Sequence, residues 1–177
     1  MHENGFWVFG YGSLIWNPGF DFVTRQRATL HGFHRSFCMT SVNYRGTEQD
    51  PGLVLALDAL TGGSCTGVGF EVGPDRAAET YDYLTERELI TAAYLETIQP
   101  ITLADGRQVD ALTYVIDRDH VQYAKGLSLD QQADIIARAA GRSGPNRDYL
   151  ANTLTALAEI GIADPEMEAL QALVTAR

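Results

Sequence analysis

The segment Phe6–Leu14, FWVFGYGSL, joins a short strand to a glycine turn, and the rest of the fold builds outward from it. Residues 6–9 are aromatic or β-branched, which is typical of a strand, and Gly10 and Gly12 follow directly. Two glycines let the backbone turn sharply and bring its N–H groups close to a carboxylate or a phosphate. A glycine turn after a strand is also common as a purely structural feature, so both interpretations stay open at this point.

The glycine turn does not match the two common nucleotide-binding loops. A dinucleotide-binding fingerprint needs a third glycine where Ile15 stands, and the sequence indicates no helix directly after the turn. A P-loop needs Gly-Lys-Ser/Thr, which does not occur in the chain. These two classes of nucleotide-binding protein are therefore excluded.

Strand and turn signals fill the first two thirds of the chain, and helix signals fill the last third. Thr61–Ser64 and Ala104–Gly106 are predicted turns, and Pro74 opens a helix, because a proline in the first helical turn loses no hydrogen bond. Apolar runs bounded by turn residues predict further strands at 28–37, 53–57, 68–72, 95–103 and 109–116.

The last third predicts three helices. Ser128 and Gln131 match a capping box, and the helix that they start would run to Gly141 as its C-cap. Residues 146–159 form a second helix, and Asp164-Pro165 starts a third. The predicted class is α+β, with an antiparallel or mixed sheet that can close into a barrel.

Length and charge limit the classes of function. The 177 residues fit one domain, which we expect to cover 1–177 because no repeat or linker divides the chain. The chain has 13 Lys+Arg against 23 Asp+Glu, a formal net charge of -10 at pH 7. Nucleic acids and anionic membranes attract basic surfaces, so neither is expected as a partner.

Cysteine and histidine spacing predicts no metal site. Cys38 and Cys65 form no C-x-x-C pair. His31 and His34 lie three apart on a predicted strand, so their side chains point to opposite faces. The sequence indicates neither a signal peptide nor an apolar stretch of about 18 residues, so we expect a reducing, cytoplasmic location without a membrane span.

Two acidic residues end the first long helix. Glu86 and Glu88 precede Leu89 and Ile90, although the helix dipole disfavours acidic residues at a C-terminus. Such a local inconsistency is typical of functional residues. The alternative is that both glutamates are solvated and pair with Arg87.

Motifs spread over nearly the whole chain occur in the order of one known family. Each motif is weak alone, but together they resemble the ChaC-type γ-glutamylcyclotransferases, which act on glutathione. The matching stretches are Val8–Trp16, Gly32–Arg35, Arg45-Gly46, Pro51-Gly52, Tyr83-Leu84 with Arg87-Glu88, Tyr94, and Gly141–Leu150.

The resemblance implies a small mixed β-barrel flanked by helices, with a helical C-terminal third. It implies that glutathione is converted to 5-oxoproline and cysteinylglycine with neither a metal nor a cofactor. Glu88 matches the family's catalytic acid/base. The loop Tyr11, Gly12, Ser13 and Leu14 matches the segment that holds the γ-glutamyl end. Further candidate substrate-binding residues are Tyr94, Arg45, Tyr149 and, as another candidate, Arg35.

The implied chemistry suits these residues. The substrate's α-amine attacks its own γ-carbonyl, so no enzyme nucleophile is needed, and one carboxylate can take and return a proton. We expect Leu89 and Ile90 to surround Glu88 with apolar groups that raise its pKa. Two alternatives remain open: a cyclotransferase for other γ-glutamyl amines or amino acids, and a non-catalytic module that binds a small ligand in the same pocket. The oligomeric state is not indicated.

One departure from the family precedes Tyr94. The family commonly has Gly-Gly there, whereas this chain has Ala92-Ala93. Alanine takes a positive φ only at a cost, so the backbone before Tyr94 is expected to follow a different path.

Overall fold

The structure, a computed structural model, describes residues 4–177 and confirms the α+β class. The strands are β1 (Phe6–Gly10), β2 (Thr24–Ser41), β3 (Gly52–Val72), β4 (Tyr94–Leu103), β5 (Gln108–Ile116), β6 (Ala140–Gly141) and β7 (Gly144–Pro145). The helices are α1 (Ser13–Trp16), α2 (Ala77–Glu88), α3 (Leu129–Arg138), α4 (Asn146–Glu159) and α5 (Pro165–Thr175), with a 3-10 turn at Pro74–Arg76.

The first five strands close into a barrel in the order β1-β3-β2-β4-β5, with a further pairing between β3 and β5. β1 lies antiparallel to β3 and parallel to β5, so the barrel is mixed. β4 and β5 form a long antiparallel pair, from Tyr94 opposite Ile116 to Thr102 opposite Gln108. The mixed barrel that the family resemblance implies is confirmed.

One predicted turn is wrong. Thr61–Ser64 lies inside the continuous strand β3, which contains both of the separately predicted strands. Gly62 adopts a φ of 75° within it, so the glycine-rich composition serves a left-handed backbone position in the strand rather than a break between two strands.

A helix boundary is also corrected. The capping box is present, since Ser128 Oγ accepts from Gln131 N at 3.2 Å and Gln131 Oε1 accepts from Ser128 N at 2.9 Å. The helix ends at Arg138 rather than at Gly141, because Ala140 and Gly141 pair with the residues of β7. The starts of α4 and α5 lie where the sequence predicts them.

The chain forms two compact units, each made of two separate segments. The first comprises Met1–Arg35 and Leu57–His120, and the second Ser36–Ala56 and Val121–Arg177. Because β2 and β3 each pass from one unit into the other, neither unit is a continuous stretch of chain. A single domain over 1–177 stays a prediction.

The first unit contains β1, β4, β5, most of β2 and β3, and α2. Its apolar core includes Val8, Phe9, Leu30, Phe70, Ile101 and Leu112. α2 buries Ala77, Thr80 and Leu84, which recur at helical spacing along one face. This buried face fixes the helix and therefore the position of its last residue, Glu88.

The second unit is mainly helical. α3 packs against both α4 and α5, and α4 packs against α5. Asp164 caps α5, since its carboxylate accepts from Met167 N at 3.1 Å. The buried apolar side chains of this unit include Leu53, Leu55, Ile136, Leu150, Leu157 and Leu170.

Candidate active site

The glycine turn after β1 leads into the one-turn helix α1, which the sequence did not indicate. Tyr11, Gly12 and Leu14 are buried, and Ser13 is half-buried. Ser13 and Leu14 open the helix, where a backbone N–H has no acceptor in a preceding turn. The structure thus builds residues 11–14 as a compact loop whose backbone donors begin a helix.

Arg35 supports this loop from β2. Its Nε donates to the carbonyl of Tyr11 at 2.6 Å, and its Nη2 donates to the carbonyl of Thr66 at 2.7 Å. Since Thr66 belongs to β3, the guanidinium ties the loop to the barrel wall. These contacts give Arg35 a role in holding the loop, which differs from the substrate contact considered for it.

Glu88 is the last residue of α2, and its side chain is 15% exposed. Burial raises the pKa of the Glu88 carboxyl, and the charge of Arg87 and its hydrogen bond oppose that rise. Ile90 is 61% exposed, so the expectation that it helps to enclose Glu88 is wrong. Glu86, by contrast, is exposed, which separates the two glutamates that the sequence left equivalent.

Arg87 lies between Glu88 and the glycine loop. Its Nε lies 3.1 Å from Glu88 Oε1, and its Nη2 donates to Ser13 Oγ at 3.0 Å. Its Nη1 lies within hydrogen-bond distance of the carbonyls of Asn17 and Pro18, at 2.7 and 3.1 Å. The sequence predicted, as an alternative, that the glutamates pair with Arg87, and this pairing is present for Glu88. The prediction that the pair is solvated is wrong, because both side chains are largely buried.

Tyr83 explains the first position of the Tyr83-Leu84-x-x-Arg87-Glu88 motif. Its hydroxyl accepts from Arg87 Nη1 at 2.7 Å, one helical turn further on. The same hydroxyl lies so close to Gly19 that a Cβ there would stand 2.0 Å from it. Gly19 also has a φ of 75°, so this position requires glycine twice over.

Ala92 stands where the family commonly has glycine, and it adopts the positive φ that we expected an alanine to avoid. Its φ is 54°, and it is the one non-glycine residue with a positive φ among residues 4–177. The left-handed conformation costs an L-residue about 1–2 kcal/mol. The expectation that alanine avoids it is therefore wrong. Two residues later, the half-buried Tyr94 begins β4 opposite Ile116.

Sequence reasoning missed a polar cluster beside Glu88. Tyr81 and Tyr114 both donate to the carboxylate of Glu96, at 2.8 and 3.4 Å. Burial and the negative charges of Glu96 and Glu88 raise the pKa of the buried Tyr114 hydroxyl, which stays protonated. Glu96 and Tyr114 are direct partners in the β4–β5 register, so only knowledge of that pairing would have predicted the cluster.

The second unit holds Arg45, which is 9% exposed. Its Nη1 donates to the carbonyl of Pro145 at 3.2 Å, and its guanidinium carbon lies 5.7 Å from the centre of the Tyr149 ring. No acidic side chain pairs with Arg45 in the part of the chain that the structure describes. It is therefore a buried cation that is held by a carbonyl and an aromatic face.

Tyr149 and Asn146 fix the start of α4 against β3 within this unit. Asn146 accepts from the N–H and donates to the carbonyl of Leu53, both at 2.7 Å, as a neighbouring strand would. The Tyr149 hydroxyl accepts from Leu55 N at 3.4 Å. Because its hydroxyl is bonded to the backbone, Tyr149 presents its ring, rather than its polar end, toward Arg45.

The remaining chemical classes can be stated briefly. Cys38 and Cys65 are buried thiols that form no disulfide. Over residues 4–177 no group of three His, Cys, Asp or Glu side chains is arranged to hold a metal ion. None of the helices in the same range is long and apolar enough to cross a membrane.

The sequence matches a known protein family and several known relatives. A family model described as ChaC-like protein matches residues 6–177. The chain is 38% identical over 162 residues to a glutathione-specific gamma-glutamylcyclotransferase of Escherichia coli, covering 92% of this chain and 69% of the relative. It is 32% identical over 165 residues to a glutathione-specific gamma-glutamylcyclotransferase of Schizosaccharomyces pombe, covering 84% of this chain and 80% of the relative.

A solved structure matches nearly the whole chain. The chain is similar to the crystal structure of a gamma-glutamyl cyclotransferase specific to glutathione from yeast, with a TM-score of 0.90 and 26% identity. The match covers 98% of this chain and 96% of the yeast chain. The barrel, the glycine loop and the terminal helices therefore all fall within the shared fold.

Proposed function

This chain belongs to the ChaC-like protein family, and from that membership we propose that it is a lyase that converts glutathione to 5-oxoproline and cysteinylglycine. The observation that carries the proposal is the Glu88 carboxylate, largely buried and joined through Arg87 to Ser13 of the glycine loop. A carboxylate whose pKa is raised by burial can both accept and donate a proton under mild conditions.

The reaction needs proton transfer more than it needs a nucleophile. The substrate's α-amine attacks its own γ-carbonyl, the amide bond to cysteine breaks, and a five-membered lactam forms. Because both reacting groups belong to one molecule, holding that molecule in the right conformation gives the amine a large effective molarity at the γ-carbonyl. The ammonium loses two protons on its way to a lactam N–H, and the leaving nitrogen gains two on its way to an ammonium. Glu88 can carry these protons in turn, starting as a carboxylate.

The substrate contacts are also part of the proposal. Gly12, Ser13 and Leu14 supply backbone N–H groups, which suit the γ-carbonyl oxygen as it gains charge or the α-carboxylate. Tyr11, on the loop, and Tyr94, at the start of β4, are the aromatic side chains that we propose to contact the same substrate. Arg45 suits a carboxylate of the substrate, and Tyr149 supports Arg45 through its ring.

No metal or cofactor is required by this mechanism, because the nucleophile belongs to the substrate and the acid/base is a side chain. We place the activity in the cytoplasm, a proposal supported by the two thiols that form no disulfide.

Product analysis tests the proposed function. The purified protein is incubated with glutathione, and 5-oxoproline and cysteinylglycine are quantified by mass spectrometry. Equal amounts of the two products support the proposal, and their absence at high enzyme concentration contradicts it. A panel of other γ-glutamyl amines and amino acids, compared by kcat/KM, separates a glutathione-specific enzyme from a broader cyclotransferase. Calorimetric binding of glutathione without turnover would instead indicate a binding module.

A further inference from the structure

The Arg87 side chain joins three parts of the first unit. Its Nε faces Glu88, its Nη2 faces Ser13, and its Nη1 faces Tyr83 and the carbonyls that follow α1. All three nitrogens therefore have partners, and the partners lie on the catalytic carboxylate, the glycine loop and the helix. A single side chain fixes the relative positions of the two motifs that the proposed reaction uses.

Helix geometry does not explain the contact between Arg87 and Glu88. Neighbouring residues on a helix point in different directions, and side chains meet more naturally three or four positions apart. Arg76 and Glu79 form such a pair three residues apart near the start of α2, and the Arg76 side chain is 53% exposed. Exposed pairs of this kind contribute little to stability. Arg87, at 20% exposure, is instead turned toward Glu88 by its acceptors on the loop.

The Ser13 hydroxyl has a defined direction as a result. Its oxygen accepts from Arg87 Nη2, and its hydrogen has no acceptor among the residues that the structure describes. A hydroxyl has one hydrogen to donate, so the Ser13 hydrogen is left for a group outside the protein. An oxygen of the γ-glutamyl moiety is the acceptor that the proposed substrate offers.

We propose that Arg87 is a positioning residue that holds the Glu88 carboxylate in register with the glycine loop and orients the Ser13 hydroxyl toward the substrate. The inference rests on the proposed function, since it assigns a role within that reaction. Arginine suits this task because its planar fork reaches acceptors in several directions, whereas lysine has a single nitrogen.

The first test compares Arg87→Gln and Arg87→Lys by their pH–rate profiles. Glu88 starts as a carboxylate, so kcat/KM falls as the pH falls through its pKa. Removing the Arg87 charge lets that pKa rise further, so the acidic limb of Arg87→Gln should move to higher pH. Its kcat/KM should also fall by about 100-fold, the scale of a small misplacement of a catalytic group. Arg87→Lys should keep the limb near its wild-type position and lose about tenfold in kcat, because it keeps the charge but not the fork.

Arg76→Gln is the matched control, since it removes an arginine from the same helical segment but from an exposed pair. It should keep kcat/KM within about twofold, because Arg76 pairs with Asp21 and Glu79 and not with Glu88 or Ser13. Thermal unfolding of every variant separates loss of fold from loss of position. Should Arg87→Gln not fold, Arg87→Lys decides: wild-type kcat in this variant overturns the inference.

A double-mutant cycle with Ser13→Ala gives the second test. If Arg87 acts through Ser13, the losses from Ser13→Ala and Arg87→Gln should not add, because each already breaks the same contact. Additive losses, or a reduced kcat/KM in Arg87→Gln with an unmoved acidic limb, overturn the inference. The proposed function fails separately, when the wild-type protein itself releases no 5-oxoproline.

Discussion

Two arginines with little exposure occupy opposite situations in the two units. Arg87, in the first unit, faces the Glu88 carboxylate and neutral acceptors with all three of its nitrogens. Arg45, in the second unit, is more buried yet faces one carbonyl and one aromatic ring. Arg87 has its charge matched within the protein, and Arg45 does not. The difference supports the proposals that the first arginine positions a protein group and that the second binds an anionic group of the substrate.

The two arginines differ in how the cost of removing their charge from water is offset. A buried charge is expensive unless it is paired and hydrogen-bonded, and a cation–π contact offsets only part of that cost. The motif glycines Gly46 and Gly52 lie where the backbone around Arg45 leaves no room for a side chain. A Cβ at Gly46 would stand 2.5 Å from the Ser41 carbonyl oxygen, and one at Gly52 would stand 2.2 Å from the Arg45 carbonyl oxygen. Arg45 is therefore held in a closely packed part of the chain. A structure that keeps an unmatched guanidinium in place gains most when a ligand carboxylate supplies the missing charge.

The largest expected effect comes from removing the charge that Arg87 faces. Glu88→Gln should lower kcat for glutathione by about a thousandfold or more, within the range of general acid–base catalysis, because glutamine cannot carry a proton. Its melting temperature should stay close to that of the wild type, since the amide keeps the size of the side chain and can still accept from Arg87. Burial also disfavours the Glu88 charge, which offsets the loss of its pairing with Arg87. Glu86→Gln is the control, as Glu86 is exposed two residues away on the same helix, and its kcat should be unchanged. Comparable kcat values for the two variants would remove Glu88 from the mechanism.

Arg45→Gln should separate the second arginine from the first. A charge-assisted hydrogen bond contributes about 1.5–3 kcal/mol, so KM for glutathione should rise by about tenfold to a hundredfold while kcat changes little. The analogue whose glycine carboxylate is an amide should already bind the wild type weakly and should lose little more in the variant. Arg142→Gln, which removes an exposed arginine stacked on Tyr44, is the control. An equal loss for glutathione and its amide would show that Arg45 does not receive that carboxylate.

A pH profile of the wild type sharpens the comparison from the side of Glu88. Burial raises the pKa of this carboxyl above its ordinary value, so kcat/KM should begin to fall at a higher pH than an exposed glutamate would dictate. Raising the pH through this region should restore activity, since the carboxylate is the starting form. A limb at the ordinary glutamate value would mean that burial and Arg87 cancel. Salt up to 1 M should move the limb little, because the pair is mostly buried.

The sequence predicted the strands, the helices and their capping residues better than it predicted the contacts between these elements. The capping residues Ser128 and Asp164 act locally, and both were recognised. The separation of Glu88 from Glu86 depends on burial by the rest of the unit, which no local pattern encodes. Glu96 and Tyr114 meet only through the register of β4 and β5. The bridging role of Arg87 likewise depends on where the loop after β1 folds back, far away along the chain.

The smallest expected effect concerns the two alanines between Glu88 and Tyr94. Ala92 has a φ of 54°, whereas Ala93 is fully buried and has no positive φ. Ala92→Gly should relieve about 1–2 kcal/mol of left-handed strain and cost about 0.5–1 kcal/mol through greater freedom of the unfolded chain. The free energy of unfolding should therefore rise by up to about 1.5 kcal/mol, measured by urea denaturation.

Ala93→Gly is the matched control for this prediction and should have the opposite sign. Glycine adds the same freedom to the unfolded chain there, removes a buried methyl group and relieves no strain, so it should lower the free energy of unfolding by about 1 kcal/mol or more. Two adjacent alanines would then respond in opposite directions to one substitution. Equal destabilisation by Ala92→Gly and Ala93→Gly would show that residue 92 does not adopt the left-handed conformation. The backbone that leads into β4 at Tyr94 would then follow a different path.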